Sequence, residues 1–280
     1  VYGDYDCDGI PGSVILHDLF AKLGYESRTH YIPHRHTEGY GLNKDAVESF
    51  ARMGAKLLIT VDCGITDIAE VSHAQSLGID VIVTDHHLPL KNEKGEDVLP
   101  PAYAVLNSKK ACDDYHDDML CGAGVAWKLA AAILARVRQR GIANIPEGWE
   151  KWMLDMAGLS TIADMVPLKK ENRALAHFGL TVLRKSPRMG LRALLLKARV
   201  MQEHLVEDDI AFTIAPRINA ASRMDTPFDA FRLLASTDNT EAEELAEKLT
   251  RLNDERKLAV ARIMKEVKKE IAERAERDVI

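Results

Sequence analysis

Asp80-Val81-Ile82-Val83-Thr84-Asp85-His86-His87 joins a short apolar run directly to a carboxylate and two adjacent imidazoles. A run of this length, bounded by polar residues, reads as a buried strand. The same event occurs twice upstream. Lys56–Val61 runs into Asp62-Cys63-Gly64, and Val1–Tyr5 runs into Asp4-Tyr5-Asp6-Cys7-Asp8-Gly9. Further strands are expected at Ser27–Ile32 and Ala102–Leu106. Helices are expected near Pro11–Leu23, Lys44–Arg52 and Asp67–Leu77, with Asn43 and Thr66 as N-caps. Strand and helix alternate, which predicts an α/β fold: a mostly parallel sheet flanked by helices.

In such sheets ligands bind beyond the carboxyl ends of the strands. Three ends carrying Asp or His would therefore meet in one crevice. Carboxylates gathered there repel one another unless cations lie between them. A mixed carboxylate and imidazole set suits Mn²⁺ best and leaves Mg²⁺ possible. Asp4, Asp6 and Asp8 alternate, so an extended chain would place them on one face. Gly9 and Gly64 would let the backbone turn beside the metals. A calcium loop is excluded, because the twelfth position from Asp4 is Ile15 rather than Glu.

The second half reads helical, at Gly122–Gln139, Glu150–Ile162, Asn172–Arg184 and Leu191–Lys197. From Thr240 onward the chain lacks Gly and Pro, and Leu245, Leu249, Leu252, Leu258 and Ile263 form an apolar stripe. That segment is either a solvated helix packed by one face or a linker helix toward a further domain. The expected organisation is a metal-binding α/β domain over 1–165, a helical part of the same core over 166–239, and a long linker helix over 240–280. The chain opens inside an apolar run at Val1, as a segment trimmed from a longer protein would.

No apolar run approaches bilayer length, and no signal sequence is evident. The four cysteines form no C-x-x-C pair, which argues against structural zinc and for a reducing, cytoplasmic setting. The net charge of −6 disfavours coating duplex DNA by bulk charge, but an acidic site loses that character once its cations bind.

Asp85-His86-His87 resembles the motif of the DHH phosphoesterase superfamily. Gly3 to Gly9 resembles the first motif of its RecJ branch, Asp62-Cys63-Gly64 the second, and Asp164 within Ser160–Leu168 the fourth. Thr37–Leu42, Leu120–Ala126 and Pro216–Arg223 are similar to RecJ in particular. The chain departs from the pattern at His34, at Pro11 and at Ser222, where glycine is usual, and it has no G-G-H motif of a second domain.

The resemblance implies two divalent metal ions bridged by Asp62. One would be held mainly by Asp6 with Asp4 near, the other by Asp8, His86 and Asp164, with His87 facing the scissile phosphate. It also implies 5′→3′ hydrolysis of single-stranded DNA to nucleoside 5′-monophosphates in repair or recombination, with other repair proteins as possible partners. Arg35, Arg217 and Arg223 are candidate phosphate ligands, or else structural ion pairs, and Asn219 lies in the same stretch. Gly122 and Gly124 would either offer amides to a phosphate or allow tight helix packing. The rival functions are a family member acting on short oligonucleotides or cyclic dinucleotides, and a non-catalytic replication scaffold.

Overall fold

The computed structural model describes residues 1–273 of the chain. Its centre is a four-stranded sheet of β1 (Tyr2–Gly3), β2 (Leu57–Val61), β3 (Asp80–Thr84) and β6 (Ala104–Leu106), all parallel and in that spatial order. The short strands β4 (Leu90–Lys91) and β5 (Asp97–Val98) pair as a separate hairpin. A parallel sheet needs cover on both faces. One face is packed by α1 (Gly9–Lys22) and α4 (Gly122–Gln139), the other by α2 (Lys44–Arg52) and α3 (Ile68–Ser76).

Behind α1 and α4 lie α5 (Leu154–Ala163), α6 (Lys170–Leu183) and α7 (Met189–Ala198). A short turn α8 (Glu207–Asp209) and a π-helical stretch (Ile210–Ile214) lead into α9 (Ala215–Met224), α10 (Phe228–Ala235) and the long α11 (Asn239–Glu273). One hydrophobic core runs from Ile10 and Ile15 of α1 through Leu159, Leu183 and Leu194 to Leu249 of α11, so it crosses residue 165 without a break. α5 and α6 meet at Gly158 and Gly179, where a Cβ on Gly158 would lie 2.5 Å from the Gly179 Cα.

Several sequence expectations are corrected. Ser27–Ile32 is not a strand. Only Tyr31 bridges to Tyr2, because this stretch lies at the open edge of a two-residue strand. The first strand stops at Gly3, since the chain turns at Asp4. The α3 N-cap is Asp67, not Thr66, and its carboxylate accepts the Leu42 N–H at 2.7 Å instead of capping. Asn43 does cap α2, accepting the Ala46 N–H at 2.7 Å. Glu150–Ile162 begins as a 3₁₀ turn (Trp149–Met153) before α5. On α11 the stripe divides: Leu245, Leu249 and Leu252 are buried, whereas Leu258 and Ile263 are exposed. Residues 274–280 of the expected linker helix lie outside the described residues.

Candidate metal centre

The centre forms where the carboxyl ends of β1, β2 and β3 open toward the end of α5. The chain from Asp4 to Asp8 is a turn, not the extended segment expected. Its carboxylates therefore converge through the turn and not through strand alternation. Asp6 Oδ1 accepts the N–H groups of Asp8 and Gly9 at 2.8 and 3.3 Å. Gly9 is needed for closeness: a Cβ there would sit 2.5 Å from the Asp4 carbonyl oxygen. Asn219 Oδ1 accepts the Cys7 N–H at 2.8 Å, and Ser160 donates to the Cys7 carbonyl at 3.0 Å. Asn219 thus holds the acidic turn from α9.

Asp62 follows β2 with φ of 62°, a conformation costly for a residue with a side chain. Gly122 lies against it, and a Cβ on Gly122 would come 2.6 Å from Asp62 Oδ1. The Gly122 and Ala123 N–H groups, at the start of α4, donate to the Asp8 carboxylate at 2.6 and 2.8 Å. The Gly124 N–H goes to Cys121 Sγ. Both glycine amides expected for phosphate therefore face protein groups, and close packing explains Gly122, whereas a Cβ on Gly124 would meet only ordinary contacts from 3.5 Å outward.

His86 Nε2 lies 3.2 Å from Asp62 Oδ1, 3.6 Å from Asp8 Oδ2 and 3.9 Å from Asp164 Oδ2. Possible ligand atoms gather within 4.8 Å of one another in the sets Asp4–Asp6–Asp62, Asp8–His86–Asp164 and Asp62–His86–His87. The first two sets match the two ligand groups expected from the sequence. Asp62 belongs to the first and touches the second through His86. Asp4 Oδ1, Asp62 Oδ1 and His86 Nδ1 are buried with no hydrogen-bond partner, a cost that a bound cation would remove for the carboxylates.

Burial, with repulsion from Asp6 next, pushes the Asp4 carboxyl up to about 8. Burial and then Asp8 raise Asp164 to about 7 and also raise Asp6. Asp62 is driven well above the carboxylate range by burial and its acidic neighbours. Burial lowers His86, which keeps its imidazole neutral as a ligand must be. At about 8 and about 7, Asp4 and Asp164 would hold protons near neutral pH until a cation displaces them. Apparent Mn²⁺ affinity should therefore weaken as pH falls from about 8 to about 6, with net proton release on binding near neutral pH. Calorimetry in two buffers of different ionisation enthalpy checks this; identical heats in both would contradict it.

Asp85 is not among these ligand sets. It accepts N–H groups from Ile65, His86 and His87, and its Oδ1 lies 2.8 Å from His87 Nδ1. Burial alone would raise its carboxyl, but these bonds more than offset that and hold it low. The Asp85 bond in turn raises the His87 imidazole. The Tyr40 hydroxyl sits 3.0 Å from His87 Nδ1 and 3.1 Å from the Asp62 carbonyl oxygen. Asn107 donates to the His87 carbonyl at 2.8 Å. Tyr40 and Asn107 were not singled out from sequence, and Asp85 was marked there only as part of the strand-end motif, without a role of its own. Asp85 and Tyr40 lie in stretches that carried the resemblance, but their partners are chosen by the fold.

The arginines separate. Arg35 stacks 5.0 Å from the Tyr5 ring centroid, next to the acidic turn. Arg223 is lowered by burial and then by the charges of Arg256 and Arg35, with Asp6 opposing. Arg35, Arg223 and Arg256 thus form a self-repelling cationic group beside Asp6, and Arg256 of α11 was missed. Arg217 instead donates to the Thr213 carbonyl of the preceding π-helical stretch at 2.7 Å and feels the charge of Asp254 on α11.

Residues 1–161 match the family model described as "DHH family, N-terminal domain". The chain belongs to the DHH family. Within it, this chain is 41% identical over 267 residues to the single-stranded-DNA-specific exonuclease RecJ of Bacillus subtilis, covering 95% of this chain and 31% of that protein. A crystal structure of exonuclease RecJ bound to manganese matches with a TM-score of 0.82 and 37% identity, over 95% of this chain and 63% of that one. RecJ of Thermus thermophilus in complex with Mn²⁺ matches with a TM-score of 0.79 and 35% identity, over 95% of this chain and 36% of that one. This DHH chain therefore spans only part of the length of these relatives. Among its described residues, no helix is long and apolar enough to cross a membrane.

Proposed function

We propose that this chain is the catalytic core of a metal-dependent exonuclease that removes nucleoside 5′-monophosphates from single-stranded DNA in the 5′→3′ direction. One observation carries the reading: two ligand sets that meet where Asp62 Oδ1 lies 3.2 Å from His86 Nε2, with buried orphaned oxygens on Asp4 and Asp62. Every ligand position expected of the family is filled, which favours an enzyme over a scaffold. The likeness to RecJ supports the substrate, and a role in repair or recombination, with repair-protein partners in the cytoplasm, belongs to the same proposal.

Asp4, Asp6 and Asp62 would hold one divalent ion, and Asp8, His86 and Asp164 the other. Their mixed donors favour Mn²⁺ and allow Mg²⁺. When bound, the ions activate water and neutralise charge on the phosphoryl oxygens. Asp85 fixes His87 through Nδ1, which leaves Nε2 to donate to a phosphoryl or leaving oxygen. Arg35, Arg223 and Arg256 supply positive charge at the Asp6 end, where a 5′-terminal phosphate would be retained.

The polarity has a direct test. A single strand labelled at its 3′ end, incubated with Mn²⁺, should shorten progressively while a blunt duplex resists. Immediate release of labelled mononucleotide would show attack from the 3′ end and overturn the polarity.

A further inference from the structure

The fourth strand of the sheet also delivers a residue to the centre. β6 ends at Leu106, and its parallel direction puts the following Asn107-Ser108-Lys109 at the same carboxyl edge as Asp62 and His86. Asn107 clamps this loop in two ways: its amide donates to the His87 carbonyl at 2.8 Å, and its Oδ1 accepts the Lys109 N–H at 2.8 Å. Lys109 is half-buried, yet among the described residues it has no ion-pair partner. Its neighbour Lys110 differs, being 3.3 Å from Asp113 and donating to the Val105 carbonyl at 2.7 Å.

The Lys109 charge nevertheless reaches the centre. Burial and Asp8 dominate at Asp164 and His86, and Lys109 acts on both, favouring ionised Asp164 and neutral His86. The arginine group acts at the other end, beside Asp6. Cationic groups therefore flank the centre at its two ends. A half-buried ammonium near carboxylates, but outside ion-pair distance of them, leaves room for an anion that can use its donors.

We propose that Lys109 binds the phosphodiester next to the scissile one, on the Asp164 side of the centre, so that the strand is held by cations at both ends. This rests on the nuclease reading above. It makes Lys109 a substrate contact and leaves metal binding to the carboxylates and His86.

The test compares Lys109→Met, Lys109→Arg and Lys110→Met with the parent chain, using a 3′-labelled single strand with Mn²⁺. Lys109→Met should raise KM about tenfold with kcat little changed. The salt dependence of its binding should fall by about one in log–log slope. Lys109→Arg should restore both, and Lys110→Met should change neither. Strands carrying one neutral methylphosphonate at either of the two linkages nearest the cut extend the test: at one of them the parent and Lys109→Met should become equal. A parental KM and slope in Lys109→Met, or a full defect on both neutral strands, would overturn the proposal. If the parent cuts no strand, the nuclease reading fails instead, and the slope is still read by equilibrium binding with Ca²⁺ in place of Mn²⁺.

Discussion

Asp62→Asn should lower the rate of mononucleotide release by about three orders of magnitude or more, because its carboxylate belongs to one ligand set and lies 3.2 Å from His86 of the other, where it would bridge two ions. Asparagine is the informative replacement. It keeps the shape and tolerates the positive φ of 62° at this position, so the loss reports charge and not backbone strain. The same substitution replaces a buried carboxyl that, without a cation, must take up a proton or stay charged among acidic neighbours, with an amide that does neither. In chelator near pH 8 the variant should therefore melt at a higher temperature than the parent, and with Mn²⁺ it should gain less. Thermal melts with and without metal read both effects. Activity within about tenfold of the parent would remove Asp62 from the bridging role, whatever the melts show.

His87→Ala should separate binding from chemistry. Its Nδ1 is committed to Asp85 at 2.8 Å, and its imidazole is raised by that bond. A protonated imidazole can stabilise developing charge or give a proton to the leaving oxygen, worth about 10²–10⁴ in rate. The variant should still bind two Mn²⁺ ions and cleave slower by that factor. The sign of the pH effect follows from the raised value. The parent holds the active imidazolium below it and loses rate as pH rises through it, and His87→Ala should lack that decline. Because His87 also lies within 4.8 Å of ligand atoms on Asp62 and His86, the alternative outcome is concrete. A calorimetric titration showing one lost ion would make His87 a ligand.

The sequence by itself determined the parallel sheet and singled out the candidate metal ligands. Both rest on local signals: apolar runs of strand length, and acidic or imidazole residues at the ends of three of them. Strand direction then forces those ends to one edge. Asp164 came through the family resemblance, since nothing local to it marks a ligand.

Only the tertiary structure decided what the supporting residues do. The Gly122 and Ala123 amides chose the Asp8 carboxylate, and Asn219 chose the Cys7 N–H, across more than a hundred residues of chain. Periodicity carries no information about such pairings, because any buried donor must find an acceptor and many were on offer. The same holds for the acidic turn, which extended-chain alternation misread: contact with Gly9 and the clamp from α9 fold it instead. The cationic flanks were likewise legible only in part. Arg35 and Arg223 stood in recognisable stretches, whereas Arg256 and Lys109 became candidates only once α11 and the end of β6 were placed beside the centre.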